Sequence, residues 1–171
     1  MRAACLLIAL AFAAPARAEL IDRIMAVVAG QPVTLSDVSA VLQFRLIQPP
    51  AGTRDPLGFA LDRSIERLLM LSEVDRFQPP EPDPVMMTIR IDELERNAGS
   101  AEAFEKVLAV TGTTRDQLRR YIRDDLRITT YLNQRFGANT PTQERATAIA
   151  SWLGELRRRA EITVQYQPAV R

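Results

Sequence analysis

The sequence predicts a mostly α-helical domain with a small sheet formed by an N-terminal β-hairpin and a C-terminal strand. Three observations predict it. Ile24 to Val28 and Val33 to Leu35 alternate around Gly30-Gln31, helical apolar spacing then recurs from Val38 to Ala160, and Ile162-Thr163-Val164-Gln165-Tyr166 alternates again. A lone C-terminal strand needs a partner, and the hairpin is the only other β material, so the two ends of the chain are expected to meet in one sheet.

Taken in order, Gly30 at the first central position of a tight turn joins the hairpin strands, and Pro32 is tolerable at the start of an edge strand. Thr34-Leu35-Ser36-Asp37 resembles a capping box and opens a helix with Val38, Val41, Leu42 and Leu46 inward, ending near Gln48 before Pro49-Pro50. Asp55-Pro56 and Asp83-Pro84 each read as an N-cap followed by proline in the first helical position, and Thr140-Pro141-Thr142-Gln143 repeats the device. Leu57, Leu61, Ile65, Leu68, Leu69 and Phe77 mark one amphipathic helix, and Val85, Met86, Ile89 and Leu94 mark another. Gly99, Gly112 and Gly137 each close a periodic stretch.

The strongest pattern runs from about Thr114 to Phe136. It places Leu118, Tyr121, Ile122, Leu126, Thr129, Leu132 and Phe136 on one side, and Arg115, Asp116, Arg119, Arg123, Asp124 and Arg127 on a solvated outer face. The last helix directs Ala146, Ile149, Trp152, Leu153, Leu156 and Ala160 inward, and its run Arg157-Arg158-Arg159 reads as a solvated helix end. Gln48 to Asp55 and Phe77 to Pro84 are the extended connectors, the second stiffened by Pro79, Pro80, Pro82 and Pro84.

Before the hairpin, Arg2, an apolar run from Ala3 to Ala14, and Pro15-Ala16-Arg17-Ala18 have the layout of a secretory signal peptide over residues 1–18, cleaved between Ala18 and Glu19. Twelve apolar residues fall short of the ~20 that a membrane-spanning helix needs. The exported chain would then be one domain over 19–171, with 19–136 as its N-terminal part and 141–166 as a helix and strand folding back. Glu19 to Asp22 precede the first strand directly, so that end should be tied into the sheet.

Cys5, the only cysteine, would leave with the signal, and the chain has no histidine. Those two absences exclude disulfide staples, thiolate nucleophiles, imidazole bases and nearly every zinc site. Without Arg2 and Arg17, 20 basic residues face 21 acidic ones, a balance that leaves no electrostatic footprint for nucleic acid or an anionic membrane. Ser36, Ser64, Ser72 and Ser151 lie in no G-x-S-x-G or S-x-x-K motif, and no phosphate loop of the G-x-x-x-x-G-K type occurs. The pairs Asp124-Asp125 and Glu93 with Glu95 do not face each other on a helix. The expectation is therefore no enzyme and no cofactor or metal.

Apolar binding remains. Methionine is flexible and polarizable, so a groove lined with it accommodates varied peptides. Met70, Met86, Met87 and Phe104 are the client-binding candidates; Met86 and Met87, as helical neighbours, point about 100° apart, which favours one of them reaching the surface.

The run Ile21-Asp22-Arg23-Ile24-Met25-Ala26-Val27-Val28-Ala29-Gly30-Gln31-Pro32-Val33-Thr34-Leu35-Ser36-Asp37-Val38 resembles the hairpin and first helix of the SurA family of periplasmic chaperones. In that family an I/V-D-x-I-x-A-V-V-x-x-x-x-I/V-x-x-S-D-V pattern follows a signal peptide. Leu57 to Phe136 is similar to the family's N-terminal chaperone domain in the order and length of its helices, and Ala150 to Val164 to the C-terminal helix and strand that fold back onto it. The departure is large: relatives carry parvulin-type prolyl isomerase domains where this chain has only Gly137 to Thr140, and the histidines typical of parvulin sites are missing.

The resemblance implies an ATP-independent chaperone of the Gram-negative periplasm. Its partners would be unfolded outer-membrane or periplasmic proteins, with neither nucleic acid binding nor stable membrane insertion. A non-catalytic envelope assembly module is the alternative, and a residual prolyl isomerase is motivated by the family alone.

Overall fold

Alternation places the hairpin, but the turn sits one residue earlier than expected. In the computed structural model, which describes residues 22–168, β1 (Ile24–Val28) and β2 (Gln31–Thr34) pair antiparallel with Val28 opposite Gln31. Ala29 and Gly30 form the turn at φ 48° and 81°, a mirror-image geometry matching strand twist. Gly30 is thus the second central residue, and Gln31 already belongs to β2. The predicted leader, its cleavage point at Ala18 and Glu19, and residues up to Ile21 lie outside the described residues. From Asp22 onward the chain is anchored: Asp22 Oδ1 accepts from Ser36 N–H at 3.2 Å, and Leu35 N–H donates to the Arg23 carbonyl at 2.8 Å.

Six helices follow among the described residues: α1 (Leu35–Gln43), α2 (Pro56–Phe77), α3 (Pro84–Ala98), α4 (Ala101–Thr111), α5 (Arg115–Phe136) and α6 (Thr142–Arg159), then β3 (Ile162–Val164). β3 pairs antiparallel with β1, Ala26 opposite Val164, and the sheet order is β2-β1-β3. The two ends of the domain therefore close on each other.

Three of the four expected caps form, at Thr34, Asp55 and Asp83, and Thr114 supplies one that is not expected. Thr34 and Asp37 form a reciprocal box, as do Thr114 and Gln117. Asp55 accepts from Gly58 N–H at 2.9 Å and Asp83 from Val85 N–H at 2.8 Å, each with proline next. Gly58 is required by close approach, since a Cβ there would lie 2.2 Å from Asp55 Oδ2 and 3.2 Å from the Tyr166 ring. At α6 the device differs. Pro141 is the N-cap with no side-chain bond, because the Thr140 hydroxyl donates to the Phe136 carbonyl at 2.8 Å and closes the preceding turn instead. α1 stops at Gln43 rather than near Gln48, since Arg45 turns left-handed (φ 54°) and both Leu46 and Ile47 N–H donate to the Val41 carbonyl. That reversal tucks Leu46 and Ile47 against the core.

Two cores share α1 and α5. The first packs the sheet, α2, the second half of α5 and α6 around Met25, Val38, Ile65, Tyr131 and Trp152. The second packs the end of α1, α3, α4 and the first half of α5 around Phe44, Met87, Leu94, Phe104 and Ile122. This division corrects the single stripe assigned to α5: Thr129 is exposed, while Ile128 and Tyr131 are buried. At about 100° per residue, Ile128 lies ~120° around the helix from Ile122, so each half faces its own core.

Arg127 is also buried, at 7 % exposure, and donates to Asp75 at 2.9 Å rather than lying on a solvated face. Ala146, Phe77, Val85 and Ile89, expected inward, are exposed. Arg157 reaches α2, donating to Asp62 Oδ1 at 2.7 Å and Glu66 Oε1 at 3.3 Å, whereas Arg158 and Arg159 lie exposed. No helix of the described residues is long and apolar enough to cross a membrane.

Candidate binding groove

Three adjoining depressions follow α2 where it meets its neighbours. The first, about 300 Å³, is walled by Val41 of α1, Phe44 just past its end, Leu68 of α2 and Leu118 of α5. The second, about 440 Å³, is walled by Ile47, Phe59, Met70 and Leu132. The third, about 420 Å³, lies against Ala146 and Ala150 of α6 with Thr140 and Arg145 at its side. Leu46, Arg67 and Tyr121 wall both the first and second; Arg63, Ile149 and Leu153 wall both the second and third. The result is a mostly apolar trough running past α1, α2, α5 and α6.

Several of its charged side chains are engaged by neighbours, whereas Arg120 and Asp125 line it without an ion-pair partner among the described residues. Arg63 lies 2.7 Å from Glu66, and Arg145 donates to Asn133 at 2.9 Å. Arg67 donates to the Tyr121 carbonyl at 2.8 Å, lies 4.0 Å from Asp124, and stacks 3.7 Å over the Tyr121 ring, a cation–π contact. Burial lifts the Glu66 carboxyl above its ordinary range in spite of Arg63 and Arg157 beside it. The Ser64 hydroxyl donates to the Ala60 carbonyl at 2.9 Å, which commits its proton to the helix. The trough thus offers apolar contact with scattered polar partners, chemistry that suits holding an extended chain.

Burial pushes the Tyr121 phenol up to about 12; the Arg67 charge pulls against this and Asp125 adds to it. Because folding raises this pKa, the stability contributed by the neutral phenol is complete below pH ~10 and is lost as pH climbs through 12. An absorbance titration of the native protein should therefore show one tyrosinate appearing only near pH 12. Tyr121→Phe should delete that component; a Tyr121 signal near pH 10 would contradict the buried geometry.

Of the four candidate client-binding residues, the structure brings only Met70 to the trough. Met87 (8 % exposed) and Phe104 (1 %) are core residues, Phe104 packing edge-on against Phe44 at 5.6 Å. Met86, 50 % exposed, is the one of the adjacent pair that reaches the surface, but it walls none of the three depressions. Arg67 carries no site signal in the sequence, and Leu46 reads there only as an inward residue of the first helix. Arg67 sits among Asp62, Arg63 and Glu66, a pattern indistinguishable from a solvated face until Tyr121, 54 positions on, covers it. Compared with protein-family models and with curated proteins, the chain matches none.

Proposed function

We propose that the protein is an ATP-independent chaperone of the periplasm that holds unfolded outer-membrane or periplasmic polypeptides along the α2 trough. The observation that carries this reading is the run of three adjoining, apolar-walled depressions sharing wall residues. An extended chain could occupy them in succession, each contact weak enough for release without fuel. The leader-like residues 1–18, the missing catalytic groups and the resemblance to SurA-type chaperones support it further.

The purified protein at several-fold excess should suppress aggregation of an unfolded outer-membrane barrel protein. Met70→Lys, which sets a charge into the second depression, should raise the concentration for half-suppression by about tenfold. No suppression by the unmodified protein would end this reading.

A second reading, an assembly module for one folded envelope partner, is favoured by the exposed stripe Val85, Met86 and Ile89 on α3, outside the trough. Capture of a single folded partner, lost in Met86→Lys and accompanied by no affinity for unfolded chains, would select it.

A further inference from the structure

The sheet has one guarded edge and one open edge, and we infer that the open edge of β3 takes up an extended, strand-forming segment of an unfolded polypeptide as a fourth strand. This rests on the chaperone reading above and adds to it a site distinct from the trough. In the β1–β3 ladder, Ala29 N–H donates to the Glu161 carbonyl and Gln165 N–H to the Met25 carbonyl, both at 2.8 Å. Hydrogen-bonded pairs alternate along an antiparallel ladder, so Thr163 also faces β1, while Ile162 and Val164 turn their N–H and C=O groups away from it. No strand of the described residues lies beyond β3, and Thr163, Val164 and Gln165 are exposed.

The opposite edge offers no such donors. Val28 and Gln31 close a two-residue hairpin as a hydrogen-bonded pair, so the outward residue of β2 is Pro32, which has no N–H. The next N–H, of Thr34, is consumed by Asp37 Oδ2 at 3.0 Å. Proline, charge and bulges are among the devices that protect sheet edges, and Ile162-Thr163-Val164 contains none of these three, its short length being the one restraint on pairing there.

The edge is also held in place. Tyr166 donates to Asp55 at 3.0 Å and Arg157 to Asp62 at 2.7 Å, fixing both flanks of β3 to α2. A second copy is a poor occupant, because pairing two three-residue strands falls far short of the ~1,200 Å² that a stable interface buries. An unfolded segment needs no such area at this one place, since the rest of its length is free to bind elsewhere. Alternating donors and acceptors, with β-branched or aromatic side chains beside Ile162 and Val164, define the segment that fits.

Amide exchange followed by NMR on the full purified protein tests this, with a lysine-flanked octapeptide alternating valine and threonine as the probe. At saturation the Ile162 and Val164 amides should slow by about tenfold, with Thr163, already in the ladder, unchanged. Val164→Pro removes one outward donor and no ladder bond, and should weaken peptide binding by about five- to tenfold. The same probe N-methylated at alternate residues should lose affinity for the unmodified protein equally, a result independent of how the proline variant folds. Unchanged Ile162 and Val164 amides, with suppression of aggregation intact, would overturn the edge site and leave the chaperone reading standing. Protection that rises with protein concentration and no peptide would assign the edge to a second copy and likewise overturn it. Absent suppression removes the chaperone reading, and the edge site with it.

Discussion

Trp152→Ala is expected to destabilise the protein by roughly 3–5 kcal/mol, the usual cost of emptying a large aromatic site, and to lower Tm by about 10 °C for a domain of this size. Trp152 is 5 % exposed, with ring centroids of Tyr131 and Phe136 at 5.8 and 5.5 Å and the Arg135 guanidinium 5.4 Å away. Only Trp152 and Leu156 of α6 are fully buried, so no other large side chain on that helix can take over. The loss should propagate, because α6 ends at Arg159 and, after Ala160 and Glu161, delivers β3 to β1. Far-UV melting measures the stability; Trp152→Phe, which keeps a ring against Tyr131, should cost much less. A change below about 1 kcal/mol for the alanine variant would mean that α6 is not anchored this way.

Phe104→Ala should cost a similar roughly 3–5 kcal/mol, from the other core. Phe104 is the largest fully buried side chain, packed against Phe44 with the Arg115 guanidinium 5.2 Å over its ring. Because α1 and α5 contribute to both cores, unfolding should remain a single transition, with near- and far-UV signals coinciding. Separate transitions would show that α3 and α4 fold as a unit of their own. The same variant bears on the proposed function: as a core residue outside the trough, Phe104 should affect the proposed client holding only through stability, so suppression measured well below Tm should be nearly unchanged.

Much of the architecture is legible in local chemistry. The expected capping residues Thr34, Asp55 and Asp83 accept the first free N–H groups of their helices, a bond between residues two or three positions apart that needs no distant partner. The Thr140 device misleads because its hydroxyl has a competing acceptor, the Phe136 carbonyl, that composition does not reveal. The candidate groove was less legible. Met70 and Met87 are equally apolar and equally helical in the sequence, and what separates them is that α4 and α5 cover Met87 while Met70 is left beside a gap.

By itself, the sequence determined that a mostly helical chain is framed by a hairpin and a closing strand, and that neither imidazole nor a thiol beyond Cys5 is available to any site. These follow from periodicity, short-range caps and residue inventory, all properties of neighbours in the chain. Tertiary structure alone decided that α5 serves two cores on different faces, that Arg127 and Arg157 are engaged rather than solvated, and that Phe104 is core. It also decided that one sheet edge is closed by Pro32 and the Thr34–Asp37 bond while the other has no neighbouring strand among the described residues. The reason is common to all of these: whether a side chain or backbone donor is free depends on what packs against it from distant positions, and helical or strand periodicity carries no information about that partner.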